Sequence, residues 1–206
     1  MKERPILFSG PMVRAILEGR KTMTRRVVKL RHGADVVVVN GQVWKPARVD
    51  YAGYVDCPYG QPGDRLWVRE SWRTVKEADD IAPRDLNAAH RYWYEADAPH
   101  QIGFGKCRPS IHMPRCASRI LLEITAVRVE RLHDITEADA QAEGVERVVV
   151  GSGWRRYCDH DSEEVGVPPC GDARRSFRSL WKHINGAESW NANPWVWVVE
   201  FKRVQP

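Results

Sequence analysis

The sequence predicts a mixed α+β protein built around a small, strongly bent and mostly antiparallel sheet with flanking helices. Asn40-Gly41 separates two strand-like runs, 35–39 and 42–44, in the pattern of a tight β-hairpin. Within 118–132 the apolar positions change parity part-way, which favours a bulge or a sharp bend in one long strand. The run 195–201 is apolar on both faces until Glu200, as is typical of a central strand.

The bulk properties predict one domain in a reducing compartment. The chain has 206 residues, 43% of them apolar, and a formal net charge of +5 with a pI near 9.0. Mild basicity suits a polyanion or an anionic small molecule as partner. No apolar run approaches the ~20 residues of a membrane span, and the N-terminus lacks the apolar segment of a signal peptide, so we expect a cytoplasmic protein without membrane contact. Nothing in the sequence indicates an obligatory protein partner.

The first helix is predicted from Pro11 to Glu18. Ser9 is a suitable N-cap, and proline is favoured at the first helical position. Gly19 can end the helix in a left-handed conformation.

The remaining elements follow from periodicity and turn residues. Short strands are expected at 27–30, 65–72, 91–94 and 148–150. A capped helix is expected from Ile135 to Gly144 with Thr136 as N-cap, and an amphipathic helix is expected from Asp172 to Ile184 and ends at Gly186. The apolar face of that second helix is formed by Phe177, Leu180, Trp181 and Ile184. Residues 73–90 are polar with weak helical tendency, and 99–114 and 151–171 read as loops.

The densest chemistry lies in the segment Gly19-Arg20-Lys21-Thr22-Met23-Thr24-Arg25-Arg26. Lys21 and Thr24 are three residues apart, so one turn of chain would bring the amine and the hydroxyl to one side. A lysine among arginines can have a lowered pKa and act as a base toward a threonine hydroxyl. The alternative is a basic loop that binds phosphate or only faces water.

Four blocks in this order together resemble the ASCH domain, a PUA-like β-barrel family associated with RNA. They are residues 19–26, the turn Pro62-Gly63-Asp64, the segment 135–144 and the ending 197–201. The resemblance implies a PUA-like, small bent β-barrel over a single domain, 1–206, with insertions at about 73–117 and 151–171. Cys57-Pro58-Tyr59-Gly60 and the run 64–70 are similar to the longer bacterial and phage branch of the family.

The small bacterial ASCH enzymes that this chain resembles are amidohydrolases of N4-acetylcytidine, which use a Lys, a Thr and a Glu. Their Gly-Arg-Lys-Thr-x-Thr-x-Arg segment places the first two at Lys21 and Thr24, and the Thr-Glu helix places the third at Glu143. Amide cleavage needs a nucleophile, a stabilised oxyanion and a protonated leaving group. The resemblance therefore implies Thr24 as nucleophile, Lys21 as its base, and Glu143 as the group that holds Lys21 or passes a proton.

The chain is about twice as long as those enzymes, which leaves two function classes open. One is an amidohydrolase that acts on an N-acylated nucleoside. The other is an RNA-binding module or a ribonuclease that uses the same basic cleft, since other ASCH proteins are described in these terms. An RNA groove would lose affinity steeply as salt rises, whereas a nucleoside pocket would not.

Several further residues are candidates for substrate binding. Arg25 and Arg26 could contact phosphate, and Arg26 could stabilise an oxyanion. Glu70 could face the same pocket, or could form an ion pair with Arg65 or Arg69. Three tryptophans could stack on bases or belong to the core, namely Trp67, Trp72 and Trp93.

Neither a metal nor a cofactor is expected. The five cysteines, at 57, 107, 116, 158 and 170, are odd in number and irregularly spaced, which argues against a disulfide framework. Two groupings contain suitable ligand atoms, Cys107 with His112 and Cys116, and Cys158 with His160 and Cys170. Their spacings do not match a standard zinc site.

Overall fold

The structure is a computed structural model that describes residues 1–29, 37–39, 41–44, 55–97, 104–148, 152–157 and 168–205. The chain divides into two compact units. Unit 1 comprises residues 1–19, 59–125 and 201–206, and unit 2 comprises residues 20–58 and 126–200. No helix among the described residues has the length and apolar character needed to cross a membrane.

The main sheet has five strands in the order β1-β5-β8-β9-β2. Their bounds are β1 Glu3–Leu7, β2 Met23–Val27, β5 Arg65–Arg69, β8 Leu121–Arg131 and β9 Trp195–Val204. β1 pairs in parallel with β5, whereas β5 with β8 and β2 with β9 are antiparallel. Two small two-stranded sheets are also present, β3 Val37–Val39 with β4 Gln42–Trp44, and β6 Trp72–Arg73 with β7 Trp93–Tyr94.

The mixed α+β class and the mostly antiparallel sheet agree with the sequence prediction. A closed barrel does not form, because β1 and β2 each have a sheet partner on one side only among the described residues. The central position of β9, between β8 and β2, is as expected.

The first helix of unit 1, α1, spans Gly10–Leu17, with Ser9 as N-cap and Glu18 as C-cap. Gly19 follows with φ 75°, the left-handed conformation that glycine adopts without strain. The helix was therefore predicted to within one residue.

Two further α-helices lie in the described part of unit 2. α2 spans Glu137–Ala142, and the Thr136 hydroxyl accepts a hydrogen bond from the Asp139 N–H in a capping box. α3 spans Ala173–Asn185, is capped by the Asp172 carboxylate and ends at Gly186, whose φ is 94°. Both helices were predicted, α2 with its N-cap Thr136 and α3 with Gly186 at its end, but Asp172 was expected as a helical residue and is the N-cap of α3. Ile184 is 49% exposed and does not share the buried face of α3.

The buried core of unit 2 lies between α2, α3 and one face of β2 and β9. Its members are Met23, Leu132, Ile135, Ala140, Val145, Ala173, Phe177, Trp181, Val196 and Val198. In unit 1 a smaller apolar cluster surrounds the fully buried Trp72 and includes Ala78, Leu86, Met113 and Ala117. These apolar contacts supply the rigid support on which the polar groups of each unit rest.

Two strand predictions need correction and one stays untested. The strand expected at 27–30 begins earlier, at Met23, because residues 23–27 pair with β9 in spite of their two arginines. The run 65–72 divides at residues 70 and 71 into β5 and β6. Most of the short strand expected at 148–150 lies outside the described residues.

Candidate active site

Lys21 is fixed by backbone pairing between the start of β2 and the end of α2. It forms an isolated antiparallel bridge with Glu143, and the Thr22 N–H donates to the Ala142 carbonyl at 2.9 Å. The Arg20 guanidinium donates to the Gly144 carbonyl at 3.1 Å. Three consecutive residues of the basic motif are therefore tied to the turn that ends α2.

The Lys21 amine is buried and points at Glu143. Its Nζ donates to Glu143 Oε2 at 2.7 Å and to the Glu143 carbonyl at 2.8 Å, and its side chain has no exposed surface. The pKa of Lys21 is lowered from its ordinary value of 10.5, mainly because burial penalises the charged amine. Glu143 opposes this shift, and the charges of Arg26 and Arg25 add to it.

Glu143 is placed by the way α2 ends. It is the C-cap of α2, and Gly144 after it has φ 86° and turns the chain away. Asp139 lies four residues earlier, so both carboxylates occupy one side of this short helix. The capping box fixes Asp139 at the opposite end of α2, and this anchors the direction of the whole element.

Arg25 lies among three carboxylates and has no exposed side-chain surface. Its Nη2 donates to Glu130 Oε1 at 2.6 Å and to Asp139 Oδ2 at 3.0 Å, and its Nη1 donates to Glu143 Oε1 at 3.3 Å. The guanidinium also lies 5.9 Å from the centre of the Phe177 ring. Arg25 was predicted to bind substrate, whereas its contacts here are with the protein's own acids.

Arg128 extends the same network toward β9. Its guanidinium donates to Glu130 at 3.1 Å, to Asp139 at 3.4 Å and to Glu200. The pKa of Asp139 is lowered: burial acts against this, but its hydrogen bonds with Thr136 and the charges of Arg25 and Arg128 prevail. The Asp139 carboxylate is thus held in its charged form by several donors.

Thr24 and Arg26 occupy the alternate positions of β2. Thr24 pairs with Val199 and Arg26 with Trp197, while Met23 and Arg25 pair with Glu200 and Val198. Because side chains alternate along a strand, Thr24 and Arg26 point away from the face on which Arg25 binds Glu143. The structure thus brings Lys21, Glu143 and Arg25 into contact and places Thr24, 3% exposed, on the other face of the same strand.

Glu70 and Trp67, both predicted to bind substrate, belong to unit 1. Glu70 is 1% exposed and accepts two hydrogen bonds from Arg119, at 2.9 and 3.0 Å. Its ion-pair partner is therefore Arg119 rather than Arg65 or Arg69. Arg119 lies two residues before β8, which pairs with β5. Burial raises the pKa of Glu70 against the hydrogen bonds and charge of Arg119.

The three candidate stacking residues differ in burial. Trp67 is 9% exposed and Trp72 is fully buried, so both belong to the core of unit 1. Trp93 is half-buried and lies against Phe104, with ring centres 4.7 Å apart. The alternative that these tryptophans belong to the core is therefore correct for Trp67 and Trp72.

The cysteine groupings bring no metal ligands together within the described part of the chain. No disulfide joins Cys57, Cys107, Cys116 or Cys170, and no group of three or more His, Cys, Asp or Glu side chains is arranged to hold an ion there. Cys158 and His160 lie outside the described residues.

No protein-family model, curated protein or solved structure matches this chain. The resemblance to the ASCH domain therefore stays a prediction that rests on the motifs alone.

Sequence reasoning missed Glu130, Asp139 and Arg119. Glu130 is 105 positions from Arg25, and nothing in local spacing could connect them. Asp139 carried a usable signal, because it and Glu143 are four apart on a capped helix and so face the same way. Two carboxylates on one helix side repel each other unless a cation lies between them, and here that cation is Arg25.

Proposed function

We propose that this chain is an amidohydrolase with an ASCH-like, PUA-like fold that removes the acyl group from an N-acylated nucleoside such as N4-acetylcytidine. The observation that carries the proposal is the buried Lys21 amine, which has a lowered pKa and is held by Glu143. A buried amine whose pKa is lowered is better suited to general-base work than an exposed lysine. It lies in the segment that resembles the catalytic segment of the small ASCH enzymes.

Each step of the proposed reaction includes a proton transfer. Thr24 Oγ bonds to the acyl carbon and its proton passes to Lys21 Nζ, while Arg26 stabilises the oxyanion. The bond from the acyl carbon to the nucleoside nitrogen then breaks, and that nitrogen takes the proton from Lys21. Water next attacks the acyl-Thr24 ester and gives a proton to Lys21, after which Thr24 Oγ leaves, recovers a proton, and the carboxylic acid is released.

The proposed reaction needs the Lys21 amine within reach of the Thr24 hydroxyl, although the alternation of β2 directs the Thr24 side chain away from the face of Arg25. Lys21 precedes the first residue of β2, and its pKa responds to Arg26, which shares the face of Thr24, as well as to Arg25. The Lys21 amine is bound to Glu143, so the proposed transfer requires it to turn from Glu143 toward Thr24. Since Lys21 and Thr24 are only 2% and 3% exposed, the proposal includes an opening of the segments that cover them.

An RNA groove at the same motif is the competing function. Arg25 would have to contact phosphates, yet three carboxylates already neutralise it. A buried arginine whose charge is already compensated favours a closed pocket over an open, positively charged groove.

The test is to incubate the protein with N4-acetylcytidine and to measure cytidine and acetate, which should form in equal amounts. Thr24→Ser keeps a hydroxyl and should keep part of the turnover, and Thr24→Val should lose nearly all of it. Thr22→Val, the same change at an exposed neighbour, is the matched control and should remain active.

Turnover that survives in Thr24→Val would remove Thr24 from the reaction. Absence of turnover in the unchanged protein, together with RNA binding that weakens steeply with salt, would favour the binding module instead.

A further inference from the structure

The Glu143 carboxylate is divided between two buried cations. Oε2 accepts from Lys21 Nζ at 2.7 Å, and Oε1 accepts from Arg25 Nη1 at 3.3 Å. The side chains of both cations have no exposed surface, and that of Glu143 is 4% exposed. One negative charge therefore serves two positive ones in a region with little water to screen them.

Arg25 is held in place independently of Glu143. Glu130 receives hydrogen bonds from both its Nε and its Nη2, at 3.1 and 2.6 Å, and Asp139 receives one from Nη2 at 3.0 Å. The Met23 sulfur lies 3.3 Å from Nη1. A planar guanidinium fixed on this many sides has one orientation, and that orientation points Nη1 at Glu143.

The two cations differ in chemistry. A guanidinium stays protonated inside proteins, whereas a buried ammonium can lose its proton. When Lys21 is neutral, Glu143 still has Arg25 as its counter-charge, so the neutral amine leaves no uncompensated buried carboxylate behind.

We propose that Arg25 is a positioning residue for Lys21: it binds one oxygen of Glu143, prevents an exclusive Lys21–Glu143 ion pair, and balances Glu143 when Lys21 gives up its proton. This rests on the proposed role of Lys21 as base. This role replaces the substrate-binding role expected for Arg25. Glu130 and Asp139 then serve to orient the Arg25 guanidinium.

The direct test follows the titration of the Lys21 side chain by NMR of its 13Cε and 15Nζ nuclei, with the signal assigned by its loss in Lys21→Arg. Arg25→Gln should move the titration midpoint of Lys21 to higher pH, because Glu143 is then left to Lys21 and one repelling charge is gone. Arg175→Gln removes the same charge from the exposed surface of α3 and should leave the midpoint unchanged. An unchanged or lower midpoint in Arg25→Gln would overturn the proposal.

A milder pair of variants covers the case in which Arg25→Gln does not fold. Glu130→Gln weakens the hold on Arg25 and leaves its guanidinium more available to Glu143, so the Lys21 midpoint should fall. Glu188→Gln removes a carboxylate from the exposed surface of unit 2, away from the contacts of Arg25 and Arg128, and should have no effect. A midpoint that is equal in these two variants, or that rises in Glu130→Gln, would contradict the role of Arg25.

The activity readout separates this inference from the proposed function. With acetylcytidine as substrate, the rate in Arg25→Gln should rise with pH over a range displaced upward, in parallel with the NMR midpoint. If the NMR shifts are found but no variant turns over substrate, the proposed function fails and the arrangement around Lys21 stands. If turnover is found but the rate profile and the NMR midpoint do not move, the positioning role fails alone.

Discussion

Glu143 in unit 2 and Glu70 in unit 1 are both buried glutamates bound by arginine, and their partners differ in kind. Glu70 accepts a two-pronged contact from Arg119, whose side chain is 25% exposed and also binds Asp97 at 2.9 Å. Glu143 is divided between Arg25 and an amine, and neither has any exposed surface. Only the Glu143 cluster contains a cation that can release a proton.

The difference separates an ion pair that holds the fold together from a group able to take part in proton transfer. Arg119 lies 3.9 Å from the centre of the Tyr94 ring, and Tyr94 donates to the Ala117 carbonyl, so this cluster fastens the segments around β7 and β8. Burial, aided by the charges of Glu70 and Asp97 and opposed by that of Arg119, raises the pKa of Tyr94 to about 12, which keeps its hydroxyl protonated. The Lys21 amine, in contrast, has its pKa lowered and lies in the motif that the sequence singled out.

The largest expected effect comes from charge-preserving changes in the two clusters. Lys21→Arg keeps the charge and removes the titratable amine, so turnover of acetylcytidine should fall by about 10²–10⁴-fold. Arg119→Lys keeps the charge and loses the two-pronged contact, so turnover should stay near that of the unchanged protein while thermal stability falls. Steady-state rates and melting temperatures measured on both variants check this, and undiminished turnover in Lys21→Arg would exclude the base role.

Replacing each glutamate by glutamine should show which of the two clusters contributes more to the free energy of unfolding. Glu143→Gln leaves Lys21 and Arg25 without the carboxylate they share, and should cost about 3–5 kcal/mol. Glu70→Gln should cost much less, because burial already disfavours the charged form of Glu70, and because Arg119 keeps Asp97 and is partly in water. Urea unfolding of both variants gives the comparison, and equal losses would show that the two glutamates play equivalent structural roles.

Local patterns predicted the helices of this protein better than its sheet. Ser9, Thr136, Gly19, Gly144 and Gly186 act within one turn of chain, and all five mark helix ends as expected. β2 was placed too late because a run of Lys, Thr and Arg has little strand character by itself. Its pairing with β9, far along the chain, supplies the hydrogen bonds that override that tendency.

The candidate site was accessible to sequence reasoning only in part. Lys21 and Glu143 are 122 positions apart, and it was the family resemblance, not any local spacing, that connected them. The interpretation of Arg25 as a substrate contact was reasonable for a basic loop. It does not hold in a strand, where alternation turns Arg25 toward α2 and its carboxylates.

Lys21 should also give the stability of the protein a distinct dependence on alkaline pH. Its folded pKa lies below the unfolded value of 10.5, so between these two values the unfolded chain binds more protons and stability rises with pH. The contribution should rise by at most about 1.4 kcal/mol per pH unit. The difference in unfolding free energy between the unchanged protein and Lys21→Met should show this rise, whereas Lys202→Met, at a 60% exposed position, should not.

Glu70 should give a smaller effect of opposite sign at acidic pH. Its folded pKa lies above the unfolded value of 4.5, because burial outweighs the contact with Arg119, so the folded protein binds more protons in the window just above 4.5. Stability contributed by Glu70 should therefore fall as pH rises through that window. Urea midpoints of the unchanged protein and Glu70→Gln, measured from pH 4 upward, should draw together or cross as the glutamate ionises. A difference that instead grows in favour of Glu70 with rising pH would mean that Arg119 outweighs the burial of Glu70, and the contrast between the two glutamates would then rest on Lys21 alone.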